Sequence, residues 1–104
     1  MFTLKIKDDG ERLRLIPCGE MDMYYTAQFK EEAVAAYDAH KKNILVDAAD
    51  LVYVDSTGLG GFIYLLNYVK ENGHEVHIEH LDPNVKKLFT ITKLDKLFHI
   101  EGEA

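Results

Sequence analysis

From Phe2 to Lys7 apolar and polar residues alternate, the two-residue period of a strand with one face buried. Asp8-Asp9-Gly10 then supplies a turn, with glycine placed for a positive φ. A second strand is predicted from Leu13 to Cys18, closing on Gly19, and the two should pair antiparallel. After Glu20-Met21-Asp22 the period lengthens, which predicts a helix from about Tyr25 to His40. Its apolar face is Ala27 or Phe29 with Ala33, Val34, Ala36 and Tyr37, while Lys30, Glu31, Glu32 and Asp38 face water. Asp22 or Thr26 is expected to cap it. Ile44 to Ala48 is an almost unbroken apolar run, as in a strand buried on both faces.

The chain is organised around Leu51 to Gly61, Leu-Val-Tyr-Val-Asp-Ser-Thr-Gly-Leu-Gly-Gly. An extended apolar run stops at Asp55, and Leu59, Phe62, Ile63, Leu66 and Val69 follow at helical spacing. A helix is predicted over about Gly58 to Glu71, stopping at Asn72-Gly73. Ser56 falls where strand becomes helix, a favoured N-cap position. Gly58, Gly60 and Gly61 are costly there, at roughly 1 kcal/mol each against alanine, so something must approach the backbone closely. Beyond this helix, Glu75 to His80 alternates as a strand, with Val76 and Ile78 on one side. Asp82-Pro83 caps and starts a last helix whose inner face is Val85, Leu88, Phe89 and Thr92. Leu97 to Ile100 closes the chain as a short strand. The order β-β-α-β-α-β-α-β predicts an α/β fold: a mixed, mostly parallel sheet with helices packed against it.

Composition narrows the function. The 104 residues are 47% hydrophobic and fit one domain over 1–104, with no repeat or linker. No apolar run suits a membrane span, and Met-Phe-Thr-Leu-Lys-Ile-Lys lacks a signal-peptide core, so the expected location is the cytoplasm. The lone Cys18 excludes an internal disulfide and reads as a buried, inert thiol. A net charge of −6 argues against general nucleic-acid binding.

Familiar chemistries fit poorly. The glycines lack the lysine of a phosphate loop, and a dinucleotide fingerprint would need glycine at Ile63. His74, His77 and His80 are spaced by three, which in a strand alternates faces, so all three cannot converge on a metal. Ser56 as a nucleophile would need an elbow such as G-x-S-x-G, but Val54 stands two residues before it. A serine-directed acylating reagent would test that reading. Asp22 and Asp55 read as caps or as the edge of one surface with Ser56, since loops at the carboxyl ends of parallel strands cluster. Ser56 reads either as a cap or as a regulated site. A phosphoryl group there would place about −1.5 to −2 charge at a helix N-terminus and block a partner docked on the bare glycines.

Three stretches together carry a resemblance. Asp55-Ser56-Thr57-Gly58-Leu59-Gly60, after Leu51-Val52-Tyr53-Val54, resembles the signature of STAS domains of the bacterial anti-sigma-factor antagonists. Gly19-Glu20-Met21-Asp22 is similar to the family's Gly-Glu-apolar-Asp. Ile91-Thr92-Lys93-Leu94-Asp95-Lys96-Leu97-Phe98 is similar to its C-terminal ending. The resemblance implies a single STAS-like domain that binds an anti-sigma factor which is also a serine kinase, freeing a sigma factor for transcription. It further implies phosphorylation at Ser56, release of the partner, and reversal by a metal-dependent protein phosphatase, with no catalysis, metal or cofactor in this chain. The contact surface it implies is Asp22, Met23, Tyr24, Asp55, Ser56, Thr57, Gly58 and Gly60, with Gly61 and Tyr64 on the outer helix face. The alternative is an unphosphorylated STAS binding subunit of another complex, such as a lipid transporter or stress-signalling assembly. One departure stands out: Met23, Tyr24 and Tyr25 separate Asp22 from Thr26-Ala27, where the family has two residues. Either one residue is inserted or Tyr25 replaces a capping hydroxyl.

Overall fold

Strand pairing sets which end of the sheet carries the loops. In the computed structural model, which describes residues 1–101, β1 (Phe2–Asp8) and β2 (Leu13–Met21) form the expected antiparallel hairpin. The last three residues of the domain expected over 1–104 lie outside the described residues. Every later pairing is parallel. Residues 13–15 of β2 pair with β3 (Ile44–Asp47), and its end, after a register shift at Gly19/Glu20, pairs with β4 (Leu51–Val54). β5 (Val76–Glu79) lies beside β3, and β6 (His99–Glu101) beside β5. The sheet order is β1-β2-β3-β5-β6, with β4 attached to β2.

The helices are α1 (Thr26–His40), α2 (Ser56–Lys70) and α3 (Pro83–Ile91). They cover one face of the sheet. Along β2, Leu13, Leu15 and Pro17 are buried while Arg14 and Ile16 are half-buried, and along β5 Val76 and Ile78 alternate with His77 and Glu79 in the same way. The covered face meets Phe29, Ala33 and Tyr37 of α1, Phe62, Leu65 and Val69 of α2, and Phe89 of α3. Phe62 lies at the centre, with ring centroids 5.2 Å from Phe29 and 5.7 Å from Phe89. Burying a large apolar side chain is worth ~1.5–3 kcal/mol, so this aromatic contact is a main tie between helices.

The other face is open. Lys7, Arg14, Leu45, His77 and His99 form one cross-strand rung, and Asp47, Glu79 and Glu101 form the next. Leu45 is fully buried yet stands apart from the core cluster, roofed by charged neighbours.

Most expected elements are present, with physical reasons for the differences. Leu51–Val54 pairs with β2 as a strand of its own, one more than the predicted order counted. Ala27 of α1 is exposed and Thr26 is buried in its place, because the helix turns its Phe29 side inward. Leu94–Lys96 forms a 3-10 turn, which delays the last strand to His99. On α3, Val85 and Phe89 are buried, while Thr92 is exposed and returns its hydroxyl to the Leu88 carbonyl at 2.6 Å. The predicted stop of α2 is present, with Gly73 at φ +85°.

Candidate functional site

Two chain segments far apart in sequence leave the sheet side by side. Met21 at the end of β2 is the register partner of Val54 at the end of β4, and the Asp55 N–H donates to the Met21 carbonyl at 3.3 Å. Both turns therefore open at the carboxyl end of the parallel strands, where α/β folds bind ligands. One turn carries Asp22, Met23 and Tyr24; the other carries Asp55, Ser56 and Thr57.

Asp55, not Ser56, caps α2. Its backbone is extended, with φ −101°, and its carboxylate accepts the Gly58 N–H at 2.9 Å. A cap must have non-helical backbone angles, and the chain leaves the sheet at Asp55, one residue before the expected cap. Ser56 is the first helical residue. Its side chain is exposed, and its hydroxyl has no hydrogen-bond partner among the described residues. The hydroxyl is thus free of any structural duty.

The glycines divide into two kinds. A Cβ on Gly58 would lie 2.2 Å from the Met21 carbonyl oxygen, and one on Gly61 would lie 2.7 Å from Thr26 Cγ2. Gly58 and Gly61 are buried, so their close neighbours are β2 and α1. Their expected place on the contact surface is corrected accordingly: they set the packing beneath it. Gly60 has nothing within 4 Å of a Cβ and is exposed. It leaves a bare strip of backbone on the outer side of α2.

On the facing turn, the Asp22 carboxylate accepts the Tyr24 N–H at 2.9 Å, and the Asp22 carbonyl accepts the Thr26 hydroxyl at 2.7 Å. Tyr25 occupies the N-cap position of α1 and makes no side-chain cap, so neither Asp22 nor Thr26 is the N-cap that was expected. The turn pushes Met23 and Tyr24 outward, 70% and 81% exposed. Tyr64, one turn beyond Gly60 on α2, is also exposed, with Lys30 Nζ 4.6 Å from its ring centroid. Two exposed apolar residues of β4, Val52 and Tyr53, join this end of the molecule and were missed. An evenly apolar run gives no signal of which members stay outside.

The remaining candidates lie elsewhere. His74 bonds the Tyr37 hydroxyl, His77 bonds Glu75 and Glu101, and His80 bonds Asp47, so the three histidines do not converge. The bond to Asp47, with Glu79 close by, raises the His80 pKa above its ordinary value. None of these three rings bonds Ser56. Cys18 is half-buried rather than buried, with Sγ 3.6 Å from the Ile16 carbonyl oxygen. No helix among the described residues is long and apolar enough to cross a membrane.

Paired loops, an unengaged serine and exposed aromatic side chains meet at one sheet end of this α/β domain. The STAS domain model matches residues 8–103, and the chain belongs to the STAS family. It is 32% identical over 82 residues to the anti-sigma-B factor antagonist of Staphylococcus aureus (strain NCTC 8325 / PS 47), covering 79% of this chain and 76% of that protein. Its fold matches the crystal structure of an anti-sigma factor antagonist from Mycobacterium paratuberculosis with a TM-score of 0.84 at 20% identity, over 99% of this chain and 87% of the other. It also matches the phosphorylated form of the Bacillus cell fate determinant SpoIIAA with a TM-score of 0.72 at 18% identity, over 99% and 93%. The two structural likenesses speak for the fold.

Proposed function

We propose that this protein is an anti-sigma-factor antagonist. It binds a serine-kinase anti-sigma factor through the carboxyl end of its sheet and so releases a sigma factor. Phosphorylation of Ser56 ends the binding, and a metal-dependent protein phosphatase restores it. The single observation that carries this reading is the free, exposed Ser56 hydroxyl on a helix already capped by Asp55. A phosphoryl group adds about −1.5 to −2 charge at a helix end that tolerates anions, so the fold survives the modification. The docking surface does not, because Met23, Tyr24, Gly60 and Tyr64 would meet new bulk and charge beside Asp55. The name of the Staphylococcus relative and the existence of SpoIIAA in a phosphorylated form support the same reading.

The test is intact mass and peptide mapping after incubation with ATP and the partner kinase. One phosphate on the peptide containing Ser56, absent in Ser56→Ala, is the expected result. Ser56→Asp should weaken the complex by about tenfold or more, ~1.4 kcal/mol, in a calorimetric titration. A complex that forms without any phosphate being added would instead favour an unswitched STAS subunit of another assembly.

A further inference from the structure

The open face of the sheet carries a cluster of histidine and carboxylate side chains. Register places His77 of β5 directly opposite His99 of β6, and their rings stack with centroids 4.5 Å apart. Glu75, two residues before His77 and on the same face, reaches both rings. Its Oε1 lies 3.1 Å from His77 Nε2 and its Oε2 lies 3.6 Å from His99 Nε2. The backbone of Glu75 is anchored: its N–H donates to Asn43 Oδ1, and its carbonyl accepts the Ile44 N–H, both at 2.9 Å. On the far side of the ring, His77 Nδ1 is 2.6 Å from Glu101 Oε2, and Arg12 Nη1 holds that same oxygen at 3.1 Å.

A neutral imidazole has one N–H and one lone pair. In the tautomer whose Nδ1–H donates to Glu101, the Nε2 lone pair faces the Glu75 carboxylate. A cation placed there satisfies both. Carboxylates that orient a ligating histidine through its other nitrogen are the usual outer support of metal sites. One ligand atom from each of Glu75, His77 and His99 lies within 4.8 Å of the others. Metal–ligand distances of about 2 Å then require the exposed Glu75 and His99 side chains to rotate, with the His99 ring tilting out of its stack on His77.

We propose that Glu75, His77 and His99 bind one divalent transition-metal ion of the zinc class, with Glu101 as a positioning residue for His77. Two imidazole nitrogens and a carboxylate suit zinc, whereas magnesium and calcium favour all-oxygen sites. Three protein ligands leave a fourth position for water or for a side chain of another molecule. The site lies at the amino ends of β5 and β6, away from the loops that carry Ser56, and does not depend on the switch proposed there.

The test is a zinc titration of the untagged full chain against a chromophoric chelator, with the histidine ring resonances followed by NMR. Expected is one zinc per chain, with the His77 and His99 rings shifting while His74 does not. Glu101→Gln should weaken binding about 10- to 100-fold, and His99→Ala or Glu75→Gln by at least as much. Glu75 and His99 are each more than half exposed, so these variants should keep the wild-type Tm. His80→Ala should bind as wild type. Absence of zinc binding, full binding by His99→Ala, loss in His80→Ala, or one zinc shared by two chains would each overturn the assignment. Loss in His80→Ala would place the ion on Asp47, Glu79 and His80 instead.

Discussion

The inner and outer sides of α2 at its first turns are built from the same small residues and serve opposite ends. Gly58 and Gly61 face inward, where any Cβ would strike β2 or α1. Ser56, Thr57 and Gly60 are exposed, and among the described residues nothing lies within 4 Å of a Cβ at Gly60. The glycine-rich stretch therefore combines two constraints. Inward glycines bring the helix down onto the sheet; the outward one leaves backbone available to a partner. A motif read as a unit hides that division.

Substitution separates the two sides. Gly58→Ala is the most damaging change, because the atom it strikes is the Met21 backbone carbonyl, itself bonded to Asp55. The expected loss is about 3 kcal/mol, a fall in Tm of more than ~10 °C on thermal denaturation. An unchanged Tm would mean that the close approach is not what holds glycine there. Asp55→Ala removes the cap and should cost about 1 kcal/mol, whereas Asp55→Asn, an equally good cap, should recover most of it. If asparagine fails to rescue in urea denaturation, charge rather than capping is the stabilising feature. On the outer side the sign reverses. Gly60→Ala should stabilise the free protein by ~0.5–1 kcal/mol through helix propensity, while weakening the complex it leaves room for. A stabilised variant with unimpaired binding would remove Gly60 from the contact surface. Smallest of all is the effect of Ser56→Asp on the fold itself, within ~0.5 kcal/mol in either direction, even as it weakens the partner complex.

The fold was legible because period changes are local. The hairpin, the three helices and the two strands with buried partners each announce themselves within a few residues. The cap was placed one residue late, since Asp55 and Ser56 both carry a capping oxygen and only the backbone angle at the strand end decides between them. The Asp22 turn was less readable still, because Tyr25 takes the N-cap position of α1 without a capping oxygen. Val52 and Tyr53 lie in an apolar run whose exposure depends on β4 pairing only with the last part of β2. The His77–His99 pair was out of reach for another reason. Spacing compares His77 only with its sequence neighbours His74 and His80, whereas the register of β5 against β6 is fixed across α3 by the tertiary fold.

The charged rungs across the open face bear on how this protein meets copies of itself. A broad sheet with one uncovered side invites a second sheet to stack on it. Here Leu45, among the described residues the one fully buried apolar side chain of that face, is flanked in register by Arg14 and His77, and Arg14 is in turn tied to Asp47 and Glu79 at 3.7 and 3.0 Å. Stacking would have to strip water from all of these ions, at several kcal/mol each before any apolar contact was gained. The roof over Leu45 thus acts as a guard against self-stacking of the sheet.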